Sequence, residues 1–184
     1  WYTIFMNLKR LFIAFDLSDE KKDQIADIAY DLDSLGVRGN FSPVENYHLT
    51  LAFLGDQEDV EGISRIIEKH AKGSSLFFSN HQELQFLPSR DGGTLAIKLT
   101  VEQKMIDFVN SLREDLRDHG YFSDRKSFLP HITLVRSIHK DIPQYHIKSS
   151  EYRFDSVTLF ESILERGKKA KYIPLIVYPL QGGR

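Results

Sequence analysis

The chain has 184 residues, of which 41% are hydrophobic and 27% charged, the balance of an ordinary folded domain rather than a disordered one. Its net charge of -2 excludes a global electrostatic pull toward nucleic acid, so any RNA contact must be local, at an end or a loop. It has no cysteine, which excludes disulfide scaffolds, Cys-based zinc sites and thiol nucleophiles together.

No apolar run approaches the roughly 20 residues a membrane helix needs, and no membrane partner is expected. The opening stretch mixes apolar residues with Lys9 and Arg10 and lacks a small-residue cleavage site, which argues against a signal peptide. Met6 opens a plausible native start, so residues 1–5 are read as added for expression and residues 6–184 as one bilobal domain. A cytoplasmic monomer is the resulting expectation.

Leu11 to Phe15 is a short apolar run, expected to form a buried strand. Ser18 is a good N-cap, with Asp19 and Glu20 in the first turn of a helix carrying Ile25, Ile28, Ala29, Leu32 and Leu35 at helical spacing. Gly36 ends it. Asn46 to Leu54 reads as a second strand, and Val60, Ile63, Ile66 and Ile67 mark a second helix that stops near Gly73. Leu76 to Ser79, Glu83 to Leu87 and Thr94 to Leu99 read as strands, with Asp91-Gly92-Gly93 as a hairpin signal. The third helix carries Val101, Met105, Val109, Leu112 and Leu116 and stops at Gly120. Strands follow at His131 to Val135, Ser156 to Glu161 and Tyr172 to Leu180. Helices interspersed among strands, some joined by hairpins, predict a mixed α+β fold.

One pattern occurs twice: His48-Leu49-Thr50-Leu51 and His131-Ile132-Thr133-Leu134. Side chains alternate along a strand, so each copy places a histidine and a threonine on one face. Leu49, Leu51 and Phe53 are expected on the core face of the first copy, and Ile132 and Leu134 on that of the second. A single histidine on a half-buried strand is more often structural than catalytic, and threonine is simply a good strand residue. Two copies in one short chain favour a functional pair. One histidine can act as base and the other as acid near neutral pH, since the unperturbed pKa is about 6.5. Such a pair suits hydrolysis of a cyclic phosphodiester, with threonine hydroxyls donating to the non-bridging oxygens and no metal or other cofactor needed.

These tetrapeptides resemble the paired H-x-T-x signatures of the 2H phosphoesterase superfamily. Within it, the chain is similar to the RNA 2′,3′-cyclic phosphodiesterases, historically called 2′-5′ RNA ligases. The likeness extends from Arg10-Leu11-Phe12-Ile13-Ala14-Phe15 through both motif strands to Tyr172-Ile173-Pro174-Leu175, nearly all of Arg10 to Leu180. It implies two pseudo-symmetric α+β lobes, antiparallel or mixed sheets with flanking helices, around a central cleft. It also implies His48 as proton donor to the leaving oxygen, His131 as acceptor from water, and Thr50 and Thr133 as phosphate ligands. The partner implied is an RNA end or nucleotide bearing a 2′,3′-cyclic phosphate, opened to the 2′-phosphate. The residues themselves give no reason to prefer one histidine as acid.

Arg136 corresponds to a basic residue that often approaches the phosphate in such proteins, yet strict alternation from His131 puts it on the core face. Phe12 is expected in the core rather than as a stacking surface. Tyr47 stands where leucine is common and is expected to affect packing only. Lys168-Lys169-Ala170-Lys171 reads as a soluble hairpin tip before it reads as an RNA-guiding patch, and the remaining histidines have no comparable partners. Three other activities fit the same residues: hydrolysis of ADP-ribose 1″,2″-cyclic phosphate or 2′-5′ oligonucleotides, binding of phosphorylated RNA ends without turnover, and reversal to join ends. Signatures of zincins, P-loop proteins and α/β-hydrolases are absent from the chain.

Overall fold

The computed structural model describes residues 7–90, 92–139 and 142–181. The suggested start at Met6, the residues before it, and Asp91 of the hairpin signal lie outside them.

Two strand–helix–strand units carry the motifs. The first runs β1 (Lys9–Asp16), α1 (Asp19–Ser34), a two-residue β2 (Asn40–Phe41) and β3 (His48–Gln57). After α2 (Val60–Lys72), β4 (Phe77–Ser79) and β5 (His81–Ser89) comes the second: β6 (Gly92–Thr100), α3 (Gln103–Asp118) and β7 (His131–Ile138). The chain closes with β8 (Tyr152–Phe154), β9 (Ser156–Ile163) and β10 (Lys171–Pro179). Each expected strand and helix is present. The additions are β2, β8 and a 3₁₀ turn at Val44–Asn46 that precedes the first motif.

The caps follow from the residue types. Ser18 Oγ accepts from the Lys21 amide, which satisfies an otherwise unpaired helix donor. Gly36 takes φ +94, the left-handed turn that ends α1.

The strands form two four-stranded sheets, ordered β10-β9-β1-β3 and β2-β7-β6-β5, with a separate β4-β8 pair. Neighbouring strands in all of them are antiparallel. In each large sheet the motif strand lies beside the strand that opens its unit: β3 on β1, and β7 on β6. Leu11, Ile13 and Leu49 from one sheet, Ile97, Ile132 and Leu134 from the other, and residues of all three helices share one contiguous core. A second small cluster, Phe12, Ala14 and Phe160 with Tyr172 against it, occupies the opposite face of the first sheet.

The register departs from strict alternation at the same place in both units. Ile13 pairs with Ala52 and Ala14 with Thr50, so Leu51 is an extra residue in β3. Leu95 pairs with Val135 and Ala96 with Thr133, so Leu134 is the extra residue in β7. A bulge lets two successive residues turn inward, and Leu51-Ala52 and Leu134-Val135 are all buried. The residue that follows each inward pair changes face. Phe53 and Arg136 therefore emerge on the histidine side, not on the core side that alternation predicts for each.

Gly39 sits against the second bulge. A Cβ there would stand 2.6 Å from the Arg136 carbonyl oxygen and 2.8 Å from Val135 Cγ1. Since a backbone atom cannot rotate away, Gly39→Ala is expected to lower stability by about 1–3 kcal/mol, as overpacking does; urea unfolding of the purified variant checks this.

Candidate active site

His48 begins β3, where its ring is fixed at both nitrogens. Nδ1 lies 2.6 Å from the carbonyl oxygen of Asn46, which only accepts, so Nδ1 carries the proton and donates. Nε2 lies 2.7 Å from Thr50 Oγ1, and in the neutral ring it accepts from that hydroxyl. His131 begins β7 in the same way: its Nδ1–H donates to the Leu129 carbonyl at 2.7 Å. Each ring is thus held by the carbonyl two residues upstream, which leaves Nε2 for chemistry.

Asn46 is a buried polar residue that the sequence reading passed over. Its side-chain amide donates to the Ala170 carbonyl at 2.7 Å, while its own carbonyl holds His48. Ala170 belongs to the loop between β9 and β10. From the same loop, Lys169 Nζ donates to the Phe41 carbonyl on β2 at 2.7 Å, and Lys168 pairs with Glu165. The loop therefore bridges from one sheet to the other. The sequence signal for it was the Lys168–Lys171 cluster, read first as a soluble tip.

A cavity of about 390 Å³ lies between the sheets, lined by His48, Asn46, Thr133, Arg136, Lys169 and Tyr172 among others. A second, of about 440 Å³, shares Arg136, Ala170 and Tyr172 with it and adds Arg10, Phe12 and Phe53. Arg136 stands at their junction. Phe53 is 64% exposed, with its ring 5.9 Å from that of Phe12. It was placed in the core on alternation, and only the bulge reveals it as a cleft residue. Thr50 and His131 are half-buried on the cleft side of their strands.

Aromatic rings wall His48 on its sheet side: Phe12 at 5.0 Å, Tyr172 edge-on at 5.4 Å and Phe160 at 6.4 Å between centroids. Phe12 is buried there, as a packing residue and not a stacking surface. Loss of water lowers the His48 pKa to about 4, against weaker opposition from the Asn46 carbonyl and the Asp16 carboxylate. Arg136 and His131 add to the depression, which places both close enough to repel the imidazolium. Tyr47 is buried on the core side and its phenol is pushed up to about 12, a packing role as expected. Among the described residues no group of three or more His, Cys, Asp or Glu could hold a metal ion.

A family model described as LigT like Phosphoesterase matches residues 15–93. An RNA 2′,3′-cyclic phosphodiesterase of Thermotoga maritima is 31% identical over 131 residues, covering 69% of each chain. One of Escherichia coli is 30% identical over 181 residues, covering 91% of this chain and 94% of its own. The chain belongs to the LigT-like phosphoesterase family. Among solved structures, E. coli LigT complexed with 3′-AMP superposes with a TM-score of 0.79 at 26% identity, covering 95% of this chain and 99% of that one. A Thermus thermophilus protein at 21% identity shares the fold, with a TM-score of 0.75. Within a LigT-like phosphoesterase the duplicated H-x-T-L strands are the 2H signature. No helix of the described residues is long and apolar enough to cross a membrane.

The depressed His48 sets a stability window. The unfolded chain takes up this proton near pH 6.5, whereas the folded protein refuses it until about pH 4. His48 therefore costs nothing above 6.5, and it destabilises the fold progressively as pH falls through the window. Urea unfolding at pH 7 and at pH 4.5 is expected to show a smaller acid loss for His48→Gln than for wild type.

Proposed function

We propose that this protein hydrolyses the terminal 2′,3′-cyclic phosphate of RNA to a 2′-phosphomonoester by two-histidine general acid–base catalysis. The observation that carries the reading is the matched pair of Nδ1–H···O=C bonds, which anchor both motif imidazoles at Nδ1 and leave their Nε2 atoms, that of His48 bonded to Thr50, on the side of the threonines. Support also comes from E. coli and T. maritima relatives named for this activity and from a 3′-AMP complex of a structural neighbour.

In the proposed reaction His131 Nε2 takes a proton from water as the water attacks phosphorus. His48, protonated at both nitrogens, gives the Nε2 proton to the leaving ribose oxygen. The phosphodiester brings a negative charge to His48, which opposes the depression caused by burial. Thr50 and Thr133 hydroxyls donate to non-bridging oxygens, and the Arg136 guanidinium offsets the charge that builds there. The Thr50 hydroxyl, now bonded to His48 Nε2, turns to the phosphate when the anion lies between them.

The cleft explains how a protein of net charge -2 takes an anionic substrate. Arg136, Lys168 and Lys169 line one cavity, a local positive patch suited to a chain terminus and not to a duplex. The adjoining cavity, with Phe53 and Tyr172 at its walls, has aromatic surface for a base.

Hydrolysis of a 2′,3′-cyclic nucleotide in EDTA, with the product isomer resolved, tests the mechanism. Wild type is expected to give the 2′-phosphate, and His48→Ala and His131→Ala each to lose about 10²–10⁴ in rate, the usual worth of a general acid or base. Full activity in either variant refutes the two-histidine scheme. Arg136→Met is expected to lose about 10–100-fold in kcat/KM, the scale of one charged hydrogen bond.

A further inference from the structure

The two half-sites are so alike that their donor and acceptor roles are degenerate from the motifs alone. Both histidines are held by the same bond, both threonines follow two residues later, and an alanine stands opposite each threonine: Ala14 at Thr50, Ala96 at Thr133. The difference lies two ladder positions further on. Opposite His48 the strand β1 places Asp16; opposite His131 the strand β6 places Lys98. Directly opposed residues of an antiparallel pair share a face, with Cβ atoms about 4.5–5.5 Å apart. One imidazole therefore has a carboxylate as its cross-strand neighbour and the other has an ammonium.

Each of these charges has its own counter-ion. Lys22 Nζ lies 2.8 Å from Asp16 Oδ1, and Glu83 Oε1 lies 3.0 Å from Lys98 Nζ. The two ion pairs have opposite polarity as seen from their histidines. In each pair the member that stands opposite the histidine lies on the strand that pairs with the motif strand, and its counter-ion offsets part of its field.

Resting on the hydrolytic reading above, we propose that Asp16 and Lys98 are positioning residues that break this pseudo-symmetry: they make His48 the proton donor and His131 the acceptor. The remaining charged groups are shared between the histidines. Arg136 of β7 and the cationic Lys168 and Lys169 line the cavity that His48 lines, and Arg136 and His131 both oppose a proton on His48. Tyr172 of β10 meets His48 as a neutral ring edge. Asp16 is the acidic group that favours a proton on His48, with the Asn46 carbonyl beside it. On the other side, Lys98 of β6 stands opposite His131 in the ladder, and Glu83 of β5 pairs with Lys98.

The test uses four substitutions that leave both histidines in place: Asp16→Asn, Lys22→Gln, Lys98→Gln and Glu83→Gln. Histidine ring titrations by NMR on the full chain give the midpoint of each imidazole, and pH profiles of 2′,3′-cyclic AMP hydrolysis give the two kinetic limbs. Asp16→Asn is expected to lower the His48 midpoint by about half a pH unit, the size of a partly offset charge at this separation. Lys22→Gln is expected to raise it. Lys98→Gln is expected to raise the His131 midpoint and Glu83→Gln to lower it. Each variant then displaces one kinetic limb and leaves the other. A purely structural role does not produce opposite shifts from the two members of one ion pair. Unmoved midpoints, or equal shifts in both histidines, overturn the proposal while wild-type turnover stands. Absence of wild-type turnover refutes the hydrolytic reading and the role assignment with it, and the ring titrations still report separately whether the charge asymmetry exists.

Discussion

A regular strand cannot send two successive side chains into one core, yet both motif strands do so, and the cleft depends on it. Leu51-Ala52 and Leu134-Val135 turn inward together because at that point each strand carries one residue more than its partner. The apolar pair anchors the strand at the point where the sheet must bend, and the reversal of alternation delivers the next residue to the cleft. One device used twice yields a duplicated frame, but it presents different chemistry: an aromatic ring, Phe53, in one lobe and a guanidinium, Arg136, in the other. Ser137, the residue after Arg136, takes φ +58, so the chain continues to leave regular strand geometry there.

Much of this fold was legible because period-two and period-3.6 patterns report which face is buried. The helices at Ile25–Leu32 and Met105–Leu116, with Ser18 as N-cap, and the paired His-x-Thr strands all follow from those periods. What escaped was whatever breaks a period. The face of Phe53 was misread, and that of Arg136 left open, because a bulge has no signature in the residues of a single chain; Leu51 and Leu134 look like ordinary strand positions. Two- and three-residue strands such as β2 and β8 are too short to carry a pattern. Asn46 escaped for another reason. Its importance lies in a bond to Ala170, far away in sequence, and no local reading reaches that distance.

The electrostatics of the site are those of desolvation more than of net charge. Phe12, Phe160 and Tyr172 crowd His48, and its proton affinity is set first by loss of water, then by the Asn46 carbonyl and the charges of Asp16, Arg136 and His131. A weakly acidic protein can therefore maintain a cationic pocket without becoming a general nucleic-acid binder. Placing the basic residues on a loop tied to both sheets keeps that charge over the cleft rather than spread across the surface.

The order of strands in the first sheet has a consequence for synthesis on the ribosome. Strand β1 emerges early, but one of its two edges is completed only by β9, and the loop that walls the cleft lies between β9 and β10. The motif histidine of the first unit, His48, is thus present long before the aromatic wall and the basic loop that define its environment. Sequence-distant pairing of this kind is slow to form. A nascent chain that already displays both motifs still lacks this cavity until β9 and β10 have joined the sheet, so the pocket takes shape only after both motif strands have been made.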